Sequence, residues 1–151
     1  MRSGKSYRRV SSGDTRMTDV YSKSKRSEIM SRVKSRGTGP EGTVAALLRK
    51  LGMSYRRNSE SMPGHPDFVM KHVKAVIFVH GCFWHNHPGC RRAKLPKTNA
   101  GFWKRKIRGN RLRDIRTTRL LRSRGWRVIT VWQCHLRRPE AVLKRLTRLL
   151  G

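Results

Sequence analysis

Between His80 and Cys90 the chain reads HGCFWHNHPGC, three histidines and two cysteines in eleven residues. Thiolate and imidazole are the donors that zinc prefers, and imidazole is also the side chain that exchanges protons near neutral pH. Cys82, His87, Cys90 and the distant Cys134 make a four-donor set that would close a tetrahedral zinc site with no open position. The other reading of Cys134 is an inert buried thiol, which is a common core residue. His80 and His85 fall outside that set, available for chemistry or for capping a backbone carbonyl.

Metal-assisted hydrolysis of a phosphodiester needs at least one carboxylate on rigid backbone. The chain offers eight acids, Asp14, Asp19, Glu28, Glu41, Glu60, Asp67, Asp114 and Glu140. Asp67 is the best placed, at the start of a strand after PGHP and one hairpin away from Val79 and His80. The plainer alternative is a turn residue following Pro66.

The remaining composition narrows the partner. There are 37 Lys and Arg against 8 acids, a formal charge of +29, and a domain that cationic favours a polyanion such as nucleic acid. Residues 91 to 124 alone hold fourteen Lys and Arg with one acid, a stripe suited to phosphates. No apolar run approaches the ~18 residues that span a bilayer, so no membrane role is expected. The first residues, MRSGKSYRRVSSG, lack the apolar centre of a secretory signal and read as a basic, flexible arm over 1–25, with Met17 as a second candidate start. An odd cysteine count without such a signal points to a reducing, cytoplasmic setting and to metal binding.

These residues need elements to position them. SKRSEIMSRVKSRG reads as a short helix stopped at Gly37, with Ile29, Met30 and Val33 roughly on one face. TGPEGTVAALLRKLG reads as a second helix, with Pro40 in its first turn, Glu41 at the positive end of its dipole and Gly52 beyond its end. MSYRRN, PGHPDFVM and KAVIFVH give three strands, the last mostly apolar and therefore central. A loop follows from Gly81 to Thr98, then a long cationic helix ending at Gly125, the strand WRVITVW, and the helix RPEAVLKRLTRLL. This order predicts one α/β domain over residues 26–151, with a mixed central sheet flanked by helices.

MPGHPDFVM, KAVIFVHGCFWHNHPGC, LPKTNAGFWKRKI and GWRVITVWQC, taken together and in this order, resemble the Vsr-type very short patch repair endonucleases. The likeness runs from about Met17 to the C-terminus. It implies a restriction-endonuclease-like core of the PD-(D/E)XK type, a zinc-braced loop, and a Mg²⁺-dependent nick 5′ of the thymine in a T·G mismatch. Position by position, it makes Asp67 the central Mg²⁺ ligand, with the Val79 backbone carbonyl as a second protein ligand. His85 becomes the general base or water-orienting group, and His80 with Glu41 supports the hydrated metal and scissile phosphate. Asp114 matches a further acid of the active site; its other reading is an intrahelical partner for Arg111 or Arg113. Cys82, His87, Cys90 and Cys134 match the zinc ligands.

Phe83 and Trp84 are either core residues or, with the resemblance, an aromatic wedge that works with Trp103 to open the mismatch. Unstacking a base step costs roughly a few kcal/mol, and a mismatch lowers that cost. Lys106, on the same cationic helix as Trp103, joins the expected DNA contacts. The resemblance further implies a bacterial, nucleoid-associated monomer cooperating with mismatch-repair proteins of the MutL/MutS type. Two departures stand out. VIFVH offers neither the second acid nor the lysine of the usual restriction-type pattern, which shifts their work to the backbone carbonyl and the histidines. Gln133 stands where the family commonly has Glu before its last zinc cysteine. Two other function classes fit the same residues: a non-catalytic zinc-stabilised DNA-binding module, and a restriction-type enzyme cutting both strands.

Overall fold

The computed structural model describes residues 22–32 and 36–151. The first 21 residues of the segment read as a basic arm lie outside the described residues. Helix α1 spans Lys23–Ser31 and therefore begins inside that segment. Ser22 Oγ caps it by accepting from the Lys25 N–H at 3.3 Å. It is shorter than expected, ending at Ser31 rather than running to Gly37, and Ile29 and Met30 are exposed. Val33 lies outside the described residues.

Residues 36–151 form one compact unit. It contains α2 (Gly39–Lys50), β1 (Arg56–Arg57), β2 (Phe68–Met70), β3 (Ala75–His80), α3 (Ala100–Ser123), β4 (Arg127–Trp132) and α4 (Pro139–Leu150). The four strands form one mixed sheet in the order β1-β2-β3-β4. β1 and β2, and β2 and β3, pair antiparallel, whereas β3 and β4 run parallel. The expected strand MSYRRN shrinks to the two residues of β1. Tyr55 instead turns its ring edge-on to Phe68, with centroids 5.2 Å apart.

Side-chain alternation decides the layers. In β2, Phe68 and Met70 face one way and Val69 the other, and β3 continues the pattern with Ala75 and Ile77 opposed to Val76. The first face packs on Val44 and Leu48 of α2 and on Val142, Leu146 and Leu150 of α4, a four-residue spacing that gives α4 one continuous apolar stripe. The opposite face meets Leu121 of α3, with Met62, Phe78, Trp126 and Val128 around it. The sheet is thus covered on both sides. α3 ends where Gly125 takes φ +79, a conformation that costs glycine little and lets the Trp126 N–H return to Leu121 O at 3.0 Å.

Because β3 and β4 are parallel, their C-terminal ends emerge side by side, with His80 opposite Trp132. Both chains leave the sheet there into the segments carrying the chemistry-bearing residues.

Candidate active site and metal centre

Asp67 sits immediately before β2, and its placement begins with the turn that precedes it. Gly64 (φ +74) and His65 (φ +51) are successive left-handed residues. A Cβ on Gly64 would collide with Cγ2 of Thr117 on α3, so the close approach of turn and helix requires glycine. Pro66 is buried behind this turn. The Asn58 N–H donates to Asp67 O at 3.0 Å, and the Val79 N–H of β3 donates to Asp67 Oδ2 at 2.6 Å. The residue is therefore tied on both sides, its backbone carbonyl by Asn58 next to β1 and its carboxylate by β3. Burial pushes its pKa up to about 6 against the pull of the Val79 hydrogen bond, and the nearby Glu41 carboxylate adds to the rise.

Glu41 is 3% exposed. Its oxygens accept from the Gly37 N–H (3.0 Å), the Thr38 N–H (3.3 Å) and Thr38 Oγ1 (2.9 Å), and Arg57 lies 3.5 Å away. Both oxygens serve the start of α2, and Glu41 does not line the cleft beside Asp67. It reaches that cleft through its field.

The cleft itself has a volume of about 210 Å³, and Asp67, Val79, His80, His85, Arg113 and Asp114 stand on its walls. His80, the last residue of β3, and His85 stack with ring centroids 3.8 Å apart and planes 5° from parallel. Burial, followed by the neighbouring His85, lowers the His80 pKa to about 4, so His80 is neutral at physiological pH. His85 Nδ1 lies 2.7 Å from Asp114 Oδ2. Asp114 thus reaches across to the loop rather than pairing along α3 with Arg111 or Arg113. Burial works to raise the Asp114 carboxyl, but the hydrogen bond and charge of His85 hold it below the usual carboxylate range. With Nδ1 donating to a carboxylate, the lone pair of His85 is left on Nε2, the arrangement of an oriented base.

A second cluster forms beyond the strand ends. Cys82 and Cys134 each lie two residues past the paired His80 and Trp132, so the parallel register brings them together. The donor atoms of Cys82, His87, Cys90 and Cys134 all lie within 4.8 Å of one another. Cys134 Sγ is 3.2 Å from His87 Nδ1, which makes it part of the cluster rather than an isolated core thiol. The loop folds tightly around the cluster: the His87 N–H donates to Cys82 O at 2.9 Å and the Cys90 N–H to His87 O at 3.2 Å. His87 also stacks on Trp132, with centroids 4.2 Å apart. Burial and the two adjacent thiols push the Cys134 pKa up to about 11. Such crowding of soft donors is what a bound cation would relieve, and an S₃N donor set fits zinc.

Phe83, Trp84 and Trp103 form a third group, with ring centroids 5.2, 5.3 and 6.0 Å apart. All three are half-buried, while Phe102 beside Trp103 is 53% exposed. Lys106 is exposed on α3, three residues beyond Trp103. The structure therefore brings the three aromatics together at the surface where the loop meets the start of α3. Arg113 is a charged residue of the cleft that sequence reading did not single out. Fourteen cations between residues 91 and 124 gave it no contrast, and its only signal was its place beside Asp114.

The sequence model of the family described as DNA mismatch endonuclease Vsr matches residues 18–92. The DNA mismatch endonuclease Vsr of Escherichia coli (strain K12) is 44% identical over 124 residues, covering 82% of this chain and 79% of that protein. The chain belongs to the Vsr family. Two nicking enzymes extend the match. The type II nicking enzyme V.XorIIP of Xanthomonas oryzae pv. oryzae is 44% identical over 134 residues, covering 89% of this chain and 98% of its own length. V.NmeAIP of Neisseria meningitidis serogroup A is 41% identical over 134 residues, covering 89% and 95%. As a Vsr-family member the chain is an endonuclease with DNA as its substrate, built on a mixed α/β sheet with a candidate Cys/His metal site. No helix among the described residues is long and apolar enough to cross a membrane.

Proposed function

We propose that this protein nicks one strand 5′ of the thymine in a T·G mismatch, on a restriction-endonuclease-like core whose loop is braced by zinc, with Mg²⁺ as its catalytic ion. The observation that carries this reading is the shared cleft. The desolvated Asp67 carboxylate and the His85–Asp114 pair line one 210 Å³ space, with the aromatic group on the residue adjoining His85.

Asp67 and the Val79 carbonyl would hold Mg²⁺, and a desolvated carboxylate with a second acid nearby is a charge distribution that favours a cation. When bound, Mg²⁺ neutralises phosphate charge and lowers the pKa of water. His85 Nε2 takes the proton of the attacking water as the new P–O bond forms and the bond to the leaving oxygen breaks. Asp114 stabilises the resulting imidazolium. His80, kept neutral by burial, packs His85 and offers a hydrogen bond without competing for charge. The Arg113 guanidinium faces phosphate oxygens. Cys82, His87, Cys90 and Cys134 would hold Zn²⁺, which fixes a loop that has few apolar anchors.

Phe83, Trp84 and Trp103 enter the duplex at the weakened T·G step, and Lys106 with the α3 arginines holds its phosphates. The test is a nicking assay on matched T·G and C·G duplexes with and without Mg²⁺, using wild-type protein and Asp67→Ala. Mg²⁺-dependent nicking of the T·G duplex alone, absent in Asp67→Ala, is expected. Undiminished nicking by Asp67→Ala overturns the assignment, and cutting of both strands of C·G DNA would favour a restriction-type enzyme.

A further inference from the structure

Trp84 and His85 share a peptide bond, and one stretch of α3 holds them both. Asn110 Nδ2 donates to the Trp84 carbonyl at 3.0 Å, and Asp114, four residues on along the same helix face, takes His85 Nδ1 at 2.7 Å. The other end of the Asn110 amide is also engaged. Its Oδ1 accepts from Nη2 of Arg113 at 3.2 Å, and Arg113 lines the cleft beside Asp67. The partners fix the orientation of the amide. A backbone carbonyl only accepts and a guanidinium only donates, so a flipped amide would satisfy neither.

We propose that Asn110 is a positioning residue that makes the stance of the Trp84 loop and the aim of the Arg113 guanidinium depend on each other. The proposal rests on the wedge reading of Trp84 given above. A wedge driven into stacked DNA is pushed back by the duplex, and that load passes through its backbone. The metal cluster anchors the loop at residues 82, 87 and 90, and the Trp84 carbonyl lies between those anchors. Without Asn110 the half-buried carbonyl loses its donor, and the loop relaxes to find water. Arg113 has a long side chain with considerable rotamer entropy, and the Asn110 acceptor narrows where it points. Binding at one end of the amide therefore restrains the other. A loop displaced from α3 draws the amide away from Arg113, so a DNA site that does not admit the wedge also loses the guanidinium from the cleft.

The two ends can be separated by substitution. Asn110→Asp keeps an acceptor for Arg113 but sets a carboxylate against the Trp84 carbonyl. Arg113→Ala removes only the cleft group, and Asn110→Leu keeps the volume while removing both bonds. Each full-length protein, together with Trp84→Ala, is titrated in Ca²⁺ onto a T·G duplex carrying 2-aminopurine beside the mismatch, where the fluorescence gain reports unstacking. The same proteins are then assayed for single-turnover nicking in Mg²⁺. Asn110→Asp is expected to lose most of the fluorescence gain and about tenfold in T·G over C·G discrimination. Arg113→Ala should keep the fluorescence gain and nick at least about tenfold more slowly. Asn110→Leu should show both losses, and Asn110→Asp combined with Trp84→Ala should discriminate no worse than Trp84→Ala alone. A wild-type fluorescence gain in Asn110→Asp, with that gain lost in Trp84→Ala, overturns the role of Asn110 and leaves the wedge reading standing. A wild-type gain in Trp84→Ala overturns the wedge reading and this proposal with it. Should Asn110→Leu fail to fold, Asn110→Asp carries the test, because it exchanges a single nitrogen for oxygen.

Discussion

Replacing Asp67 with asparagine should make the protein more stable at neutral pH while removing its activity. Burial raises the Asp67 carboxyl from 3.8 to about 6, so its charged form is disfavoured in the folded protein relative to the unfolded chain. At ~1.4 kcal/mol per pKa unit, that rise corresponds to about 3 kcal/mol of lost stability once the group is ionised. Asp67 is only partly buried, and solvent in the cleft screens it, so about 1–3 kcal/mol is the expected range. The sign follows from proton counting. Between pH 3.8 and about 6 the folded state holds more of this proton than the unfolded state, so wild-type stability falls as pH rises through that window. In the Asp67→Asn variant the side chain is uncharged at any pH and can still accept from the Val79 N–H, so this slope is missing. Urea unfolding of both proteins from pH 4 to pH 8, without added Mg²⁺, measures the difference. The curves should nearly meet at pH 4 and separate by about 1–3 kcal/mol at pH 8, with the Asp67→Asn variant the more stable. Added Mg²⁺ should narrow the gap from the wild-type side, by RT ln(1 + [Mg²⁺]/Kd). An Asp67→Asn protein that is less stable than wild type at pH 8, or a gap that does not change with pH, would refute the argument that this site is strained by its own charge.

Further outcomes follow from the geometry. Cys134→Ala should lose its bound zinc, read by atomic absorption, and with it much of its soluble fold; stoichiometric zinc in a folded variant would remove Cys134 from the site. His85→Ala should slow single-turnover nicking by roughly 10²- to 10⁴-fold. Asp114→Asn should slow it by a smaller factor, about 10- to 150-fold, for the loss of a charge-assisted hydrogen bond, with DNA affinity in Ca²⁺ unchanged for both variants. Trp84→Ala should weaken discrimination of T·G from C·G while leaving the Mg²⁺ dependence of nicking intact, measured at limiting enzyme. Substituting Ala for Arg105 and Arg108 together should flatten the slope of log K against log salt by up to ~0.9 per lost phosphate contact, with little change in mismatch preference.

The strand-and-loop frame of the site was legible because its signals are local and strong. KAVIFVH is apolar over a strand's length, and Gly125 marks the end of α3. The soft donors also stood out, because histidines and cysteines crowd into the few residues after that strand. Cys134 could be joined to them because it follows the end of the strand WRVITVW; the parallel register of β3 and β4 that brings it beside Cys82 is what no spacing in the sequence encodes. Arg113 and Asn110 were illegible for a related reason. Each is one polar residue on a helix crowded with them; they pair with each other within α3, and only the fold of the 81–98 loop across the helix gives Asn110 its second partner, the Trp84 carbonyl. Asp114 shows the same effect in a single residue: nearby arginines offered it local partners, and the loop supplied a distant histidine instead. β1 fell short of its expected length because MSYRRN lacks a run of apolar residues to bury, and only Arg56 and Arg57 pair with β2.

α3 acts as a gauge. Trp103 and Asp114 are eleven residues apart, about 16 Å at 1.5 Å per residue, and eleven residues make close to three whole turns, so both side chains leave the rod on nearly the same side. Asn110, seven residues from Trp103, lies on that line too. A hydrogen-bonded helix does not stretch under load, so the spacing between the Trp103 and Asp114 backbones is carried as a count of residues rather than a balance of loop conformations. In a protein of this build, the offset between an aromatic residue that meets the 81–98 loop and the carboxylate that holds its histidine is written in the length of one helix.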